Sequence, residues 1–351
     1  MQVFCITPVM KPHFDAAGIT VVTDKTVKCD FSACSFEPDI DTVKYNYTVG
    51  TPTQDLDLLD KTVLTSAFAE VGASTLPLIP FTNIGQIAEL NGKPFILKPK
   101  FGVGSYSINP LGYKIFSSVT DFNQAVANTC PNFWQLQTNP ATALYIQESV
   151  VTPTDRAILT IINAFVNGAG IPIFTPFMES PQVNGHSVDT LTEDIPEADA
   201  TRLQNYITAV INLRQLKNCF FMMQFIRAPG GEWYPTDLSY RPDYTHRSAL
   251  IKIDPQYCGD LIKYTYDQID NVTSTPIDKY SFQRAIPVNI NSHALSSYCS
   301  NQKIWPEEGG FIAPHIYRAP LFKSKLFLAY GDSKANAKTK MDSFEAVATT
   351  L

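Results

Sequence analysis

Apolar and polar positions along this chain switch between a period near two and a period near 3.6, and the switches sketch its elements. Short apolar runs from Gln2 to Thr7 and from Gly18 to Thr23 predict buried strands, with Asp41 to Val49 as a further strand candidate. The polar, turn-prone stretch Thr51 to Leu58 reads as a boundary. From Lys61 to Val71, the residues Val63, Leu64, Ala67, Phe68 and Val71 recur at helical spacing, and Gly72 follows as a stop. Pro94 to Pro99 predicts a strand, and Ser118 to Cys130 an amphipathic helix headed by Thr120 and Asp121. Strands are expected over Ala143 to Val151 and Ala157 to Asn167. A long helix over Ala198 to Leu216 follows, with Leu203, Tyr206, Ile207, Val210, Ile211 and Leu213 on its apolar side. A hairpin about Gly230-Gly231, a helix near Asp254 to Ile269 and a mixed tail complete the pattern. No internal repeat stands out. The expected class is α+β with an α/β N-terminal part, richer in antiparallel pairing than a doubly wound sheet.

Composition narrows the function classes. A chain of 351 residues exceeds one ordinary core and fits two or three subdomains. Its 44% hydrophobic and 12% aromatic content supports packed cores rather than disorder. A net charge of −6 with no Lys/Arg block argues against nucleic acid as a partner. The start, MQVFCITPVM, has no basic n-region and too short an apolar run for a signal peptide. The run around Phe220 to Met223 is far below membrane-spanning length. The cysteines at 5, 29, 34, 130, 219, 258 and 299 are dispersed, and Cys29 and Cys34 are too far apart for a CxxC motif. Reduced thiols in a soluble, cytoplasmic protein are the expectation.

Three segments carry candidate chemistry. The hairpin MMQFIRAPGGEWYPTDLSYRP, Met222 to Pro242, sets Gln224 and Asp237 symmetrically about Gly230-Gly231. With the turn at the glycines, the two side chains become neighbours on one sheet face, and Ser239 and Arg241 follow on that side at a spacing of two. Such a polar shelf suits Mg²⁺, which takes oxygen ligands from one or two side chains plus substrate phosphates. Taken alone, a structural hairpin is the plainer reading. The second segment runs from Phe95 to Ile108, where a strand ends in Lys98 and Lys100 and enters a loop with Gly102, Gly104 and Ser105. Glycines let backbone N–H groups surround phosphate oxygens, and lysines neutralise their charge. The lysines precede the glycines and no GK[ST] occurs, so this is no Walker A loop. A glycine hairpin with solvated lysines is the plainer reading. The third, Tyr145 to Arg156, delivers Glu148 and then Asp155 after a Thr-Pro turn. It fits an adenine edge and ribose hydroxyls, or a surface turn with two solvated acids.

The order of these pieces resembles the ATP-grasp superfamily over roughly residues 60 to 250: Asp60-Lys61 before a helix, the Lys98–glycine loop, Glu148 with Asp155, then Gln224, Asp237, Ser239 and Arg241. The carbamoyl-phosphate-synthetase and biotin-carboxylase branch is the nearest likeness. Its connector resembles Glu148-Ser-Val-Val, its metal strand resembles Asp237-Leu-Ser239-Tyr-Arg241, and Arg247-Ser-Ala-Leu250 looks like its substrate-side arginine segment. Phe327 to Tyr330, Gly331-Asp332-Ser333 and a helix from Lys334 to Ala348 look similar to its closing strand–Gly–helix piece.

The resemblance implies two α+β subdomains gripping ATP between them. It would divide the chain into an N-terminal part (1–58), an ATP-grasp domain (59–280, lid 59–144 and metal-binding part 145–280) and a closing segment (281–351). It further implies that Lys61, Lys98 and Lys100 meet phosphates, Lys98 also near adenine, beneath a lid of Gly102, Gly104 and Ser105. Glu148 and the Val150 backbone would address adenine, and Asp155 the ribose. Gln224, Asp237 and Ser239 would hold Mg²⁺ or Mn²⁺, and Arg241 and Arg247 would act on the phosphoryl group or the acid substrate. The implied activity is ATP-dependent ligation of a small carboxylate to an amine through an acylphosphate, in a protein that resembles enzymes often found as homodimers. A nucleotide-binding relative that has lost catalysis is the alternative. The chain departs from the family pattern at Ser107 (for Gly), Asp237 (for Glu) and Ser239 (for Asn). The shorter Asp237 bears directly on a metal that insists on ligands at about 2 Å. His293 and His315 read as surface or core residues, and His246 gains interest only from lying beside Arg247.

Overall fold

Three sheets organise the chain in the computed structural model. It describes residues 1–4, 11–24, 26–32, 51–52, 55–100, 109–140, 142–152, 157–183, 186–187, 189–192, 195–240, 254–274, 280–287, 305–306 and 324–348. The first sheet holds β1 (Gln2–Phe4), β2 (Thr20–Val22), β3 (Phe31–Ser32) and β4 (Thr51–Pro52) in the order β2-β1-β3-β4, all parallel. Parallel neighbours need a crossover, and α1 (Lys11–Ala16) lies on the one joining β1 to β2. The expected boundary at 51–58 is therefore partly strand. Leu56–Leu59 then makes a 3-10 turn whose cap, Asp55, accepts from the Asp57 amide. The candidate strand at 41–49 lies outside the described residues.

Helix α2 (Lys61–Glu70) starts and stops where its sequence dictates. Asp60 is the N-cap, accepting from the Thr62 amide at 2.9 Å. At the far end Gly72, at φ +85°, gives its N–H to Ala69 O, and Ala73 gives its N–H to Phe68 O. This pair of bonds is a Schellman motif, which needs the left-handed backbone that glycine adopts without strain.

The second sheet is antiparallel, in the order β5 (Leu78–Pro80), β8 (Leu144–Glu148), β6 (Phe95–Pro99) and β7 (Ile115–Phe116). Helices α3 (Gly85–Ala88), α4 (Val119–Thr129) and α5 (Phe133–Gln137) accompany it. Strand alternation sorts its residues. Phe95, Leu97, Leu144 and Ile146 enter a core with Phe81, Phe116, Phe122 and Phe133, where the rings of Phe122 and Phe133 meet edge-on at 5.2 Å. Ile96, Lys98, Tyr145 and Gln147 therefore point to the opposite face.

Among the described residues, the third sheet has ten strands. Its main path runs β15 (Trp233–Ser239), β14 (Cys219–Arg227), β9 (Ala157–Val166), β11 (Met178–Val183), β13 (Asp189–Thr192), β16 (Tyr280–Pro287), β18 (Ser324–Gly331) and β17 (Trp305–Pro306). Strands β10 (Pro172–Phe174) and β12 (His186–Ser187) pair at the sides of β9 and β11. The expected closing strand and helix are present as β18 and α8 (Lys334–Ala348), and β16 joins them to the same sheet as the hairpin. On one face α2 and α6 (Glu197–Arg214) cover Ile162, Ala164, Phe221, Met223, Phe225 and Leu238. Helix α6 buries Leu203, Ile207, Val210 and Ile211, whereas Leu213, expected on the apolar side, is exposed. On the other face Phe165 and Phe220 pack with α7 (Pro255–Thr265), α1 and Val3, which seats the N-terminal sheet against the large one.

The α1–α7 contact is set by one glycine. A Cβ on Gly259 would sit 2.5 Å from the backbone oxygen of Ala16, closer than real Cβ contacts, and a backbone atom cannot swing away. Gly259→Ala should force the helices apart and lower stability by about 1–3 kcal/mol, the usual cost of overpacking. Thermal unfolding checks this: a lower midpoint is expected, with α-helical circular dichroism retained below it.

Candidate functional site

The hairpin β14–β15 brings Gln224 and Asp237 directly opposite each other, by a different route from the symmetric glycine turn. Ala228 donates to Glu232 O at 2.8 Å, and Gly231, at φ +89°, donates to Ala228 O at 2.9 Å. The loop is thus a three-residue connection closed by a left-handed glycine. Alone, it would leave Gln224 opposite Thr236. One extra residue in β15 restores the pairing, because the register shifts between Phe225↔Pro235 and Gln224↔Asp237. Thr236 occupies this β-bulge and gives its hydroxyl to Gln224 O at 3.2 Å. The bulge has a packing reason. Trp233 and Leu238 are five apart, an odd spacing that would split them between faces, yet both are buried in one core cluster. The phase slip at Thr236 lets both turn inward and leaves Asp237 on the other face beside Gln224.

Along that face the floor changes character. Ile161, Met178 and Met222 form a small apolar cluster next to Gln224, Asn163 and Ser239. Asn163 is fully buried, and Thr175 Oγ1 lies 3.2 Å from its backbone nitrogen. Ser239 pairs with Met222 and is only 1% exposed, so it sits deeper than Gln224 and Asp237, which keep partial access.

Three lysines converge on this face. Lys61, at the first turn of α2, is 3% exposed, and its Nζ lies 2.7 Å from Asp237 Oδ1. The same Nζ is 5.9 Å from the ring centre of Tyr113, within reach of a cation–π attraction. Lys98, on β6, donates to Gln147 Oε1 at 2.8 Å in a buried pair. Burial pushes its pKa down, Lys61 pushes it further, and Asp237 partly offsets both, leaving it at about 8. Lys100, half-exposed, reaches Asp60 Oδ2 at 2.8 Å, and its carbonyl accepts from the Lys61 amide at 3.0 Å. That carboxylate holds the Lys100 pKa above its usual value. Burial raises the Asp60 pKa, but bonds from Lys100 and Thr62 outweigh it and hold the carboxyl below the usual range. Three lysines, 61, 98 and 100, stand against two carboxylates, Asp60 and Asp237, a local excess of positive charge within a chain whose net charge is −6. An anion fits that local excess.

Lys61, Lys98, Lys100, Gln224 and Asp237 are therefore assembled. Glu148 is not brought in by its side chain. Alternation places it opposite in sense to Gln147, on the face of Leu144 and Ile146, where Lys93 holds both its oxygens at 2.7 and 2.8 Å. Val150 lies in the turn after β8, where the Ser149 hydroxyl donates to Val151 O at 2.7 Å. Gly102, Gly104, Ser105, Ser107, Asp155, Arg241 and Arg247 lie outside the described residues. Sequence reasoning overlooked Gln147, Asp60 as cap and lysine partner, and Tyr113. Gln147 was legible in principle, as the residue two after Tyr145 on a strand paired with Lys98.

Among the described residues, no group of three His, Cys, Asp or Glu could hold a metal. The donor set at Gln224 and Asp237 is one amide and one carboxylate, a pair that fits Mg²⁺ only when phosphate oxygens complete its coordination. Cysteines 29, 130, 219 and 258 are free and buried, and burial raises the pKa of each. No helix among the described residues is long and apolar enough to cross a membrane.

A parallel N-terminal sheet, a small antiparallel sheet ending in a buried lysine and a large antiparallel sheet carrying a hairpin of oxygen donors make up the ATP-grasp fold. Particular solved structures align over almost the whole chain. An ADP complex of N5-carboxyaminoimidazole ribonucleotide synthetase is 14% identical, covers 98% of this chain and 95% of its own, and has a TM-score of 0.71. An L-amino acid ligase from Bacillus licheniformis is 12% identical, with 98% and 96% coverage and a TM-score of 0.68. Biotin carboxylase from Campylobacter jejuni is 10% identical, with 97% and 90% coverage and a TM-score of 0.63. No protein-family model matches the chain, and no curated protein sequence matches it. At these identities the likeness is one of fold.

The Lys98 charge is costly to bury, and that cost depends on pH. Its folded pKa, about 8, lies below the unfolded value, so between pH 8 and about 10.4 the unfolded chain binds more protons and stability rises with pH. Below pH 8 the full cost is present. Lys98→Met should remove this rise. Denaturant unfolding at pH 7.5 and pH 10 checks it: the wild type gains relative to the variant at the higher pH. Equal changes in both would contradict the buried charge.

Proposed function

We propose that the chain is an ATP- and Mg²⁺-dependent ligase that activates a carboxylate as an acylphosphate and joins it to an amine. The observation that carries this reading is the convergence of two buried lysines on the Gln224–Asp237 oxygen pair: Lys61 is ion-paired to Asp237, and Lys98, held by Gln147, lies near enough to feel both Lys61 and Asp237. The fold adds support, since proteins of this shape include an ADP complex, a carboxylase and an amino acid ligase. Lys61 and Lys98 would hold the phosphates, with Lys100 joining when it leaves Asp60. The adenine edge would meet backbone groups between Glu148 and Val150, because the Glu148 carboxylate is engaged by Lys93. The ribose would fall to Asp155, and the lid to Gly102, Gly104 and Ser105.

Gln224 Oε1 and Asp237 would hold Mg²⁺, with Ser239 as a deeper neighbour. When bound, the ion offsets charge on the phosphoryl oxygens and aligns the phosphates. A substrate carboxylate oxygen then bonds to the γ-phosphorus as ADP departs. An amine attacks the acyl carbon, phosphate leaves with the bonding electron pair, and the nitrogen gives up a proton. Arg241 and Arg247 would steady the phosphoryl group or the acid. The protein's share is placement and charge stabilisation. The domain division at 58 and 280 and a cytoplasmic location belong to the same reading.

A nucleotide-binding protein without ligase activity is the competing reading, and Asp237 being the one carboxylate in the described donor pair favours it. Incubation with Mg·ATP and panels of carboxylates and amines separates the two. Acid-dependent ADP release that falls at least about a hundredfold in Lys98→Met and Asp237→Asn is expected, the scale on which single charge-stabilising groups act. Calorimetry should show Mg²⁺-dependent ADP binding lost in Asp237→Asn. ADP binding with no acid-dependent turnover would leave the binding protein; unchanged turnover in both variants would sink the site.

A further inference from the structure

We infer that Gln147 is a positioning residue that aims Lys98 at the ligand while leaving its charge unspent. The inference rests on the nucleotide-site reading above and deepens it. Gln147 is 9% exposed and lies between two fixed points. Its Nε2 donates to Leu76 O at 2.7 Å, and its Oε1 accepts from Lys98 Nζ at 2.8 Å. The first bond decides the second: with the NH₂ group committed to a backbone carbonyl, only the oxygen is left to face the lysine. The residue next to β5 thus sets the direction of a side chain on β6, through a strand that lies between them in the sheet.

The neutral acceptor matters as much as the geometry. Lys61 is matched by Asp237 and Lys100 by Asp60, each at ion-pair distance. Lys98, among the described residues, meets only an amide. A carboxylate at position 147 would hold the ammonium equally well but cancel its charge and repel the Leu76 carbonyl. An amide accepts one hydrogen bond and leaves a full positive charge with two N–H donors for an incoming anion. Charged hydrogen bonds are stronger than neutral ones, so one well-aimed donor of this kind shifts anion affinity by tenfold or more.

The test compares wild type, Gln147→Met and Gln147→Glu, all checked for folding by circular dichroism. Two quantities are read: ADP affinity by calorimetry, and the pH midpoint of Lys98 acetylation by mass spectrometry. Gln147→Met removes both hydrogen bonds and should weaken ADP about tenfold and move the midpoint down. Gln147→Glu restores an acceptor and should move the midpoint up by at least about one pH unit, yet still weaken ADP about tenfold. Opposite midpoint shifts with a common loss of affinity would not arise from a merely structural glutamine. Folded variants that bind ADP like wild type, or leave the midpoint unmoved, overturn the inference alone. Should wild type itself fail to bind ADP, the nucleotide reading falls and the positioning role with it.

Discussion

The ion pair between Lys61 and Asp237 is the contact on which the candidate site depends. Lys61 is almost wholly buried, and removing the partner of such a charge typically costs about 3–5 kcal/mol, so neither residue is independent of the other. The pair also ties elements from different sheets. Lys61 begins α2, its backbone N–H bonds to Lys100 at the end of the small sheet, and Asp237 sits on the outermost strand of the large one. Asp60 completes the knot, capping α2 with one oxygen and holding Lys100 with the other. Asp60 and Lys61, with their partners Lys100 and Asp237, thereby fix where the small sheet meets the hairpin.

Electrostatics then follows from packing. Three lysines lie close together, and two of them are buried, a costly arrangement unless each charge has a partner. Two are matched by carboxylates. The third is held by an amide, and its lowered pKa expresses the remaining cost, since burial and Lys61 both oppose its charge. The fold therefore carries a standing deficit of negative charge at one place. Sites with perturbed titration in a cleft are often functional, and here the perturbation has named causes.

Much of this was legible in the sequence, for reasons that differ by element. The end of α2 was readable because Gly72 is a cap with a mechanism, whereas its N-cap, Asp60, was passed over although its side chain has an equally local role. The Gln224–Asp237 pairing was reached although the turn was wrongly drawn: the loop is one residue longer than a two-residue glycine turn, and the Thr236 bulge compensates. A bulge driven by the burial of Trp233 and Leu238 on one core has no local signature, since it answers to tertiary packing. Glu148 shows what strand alternation alone leaves open. A strand's two faces are distinguishable from sequence, but which face meets the site depends on the helices α4 and α5, and these take the side of Leu144 and Ile146. Gln147 was passed over because a neutral amide beside a carboxylate looks like the lesser group.

The Lys61–Asp237 pair also constrains how a ligand could enter. A divalent ion taking Asp237 alone would draw the carboxylate away from an ammonium that is only 3% exposed. A polyphosphate taking Lys61 alone would strand Asp237, a smaller penalty because that carboxylate is 19% exposed. Only a ligand carrying both charges replaces each partner at once, with phosphate oxygens meeting Lys61 and a metal meeting Asp237. The exchange conserves paired charges throughout, so its cost is far below that of either half. On the proposed reading, the pair is thus a stand-in for the metal–phosphate contact, and it would select for a nucleotide that arrives with its cation.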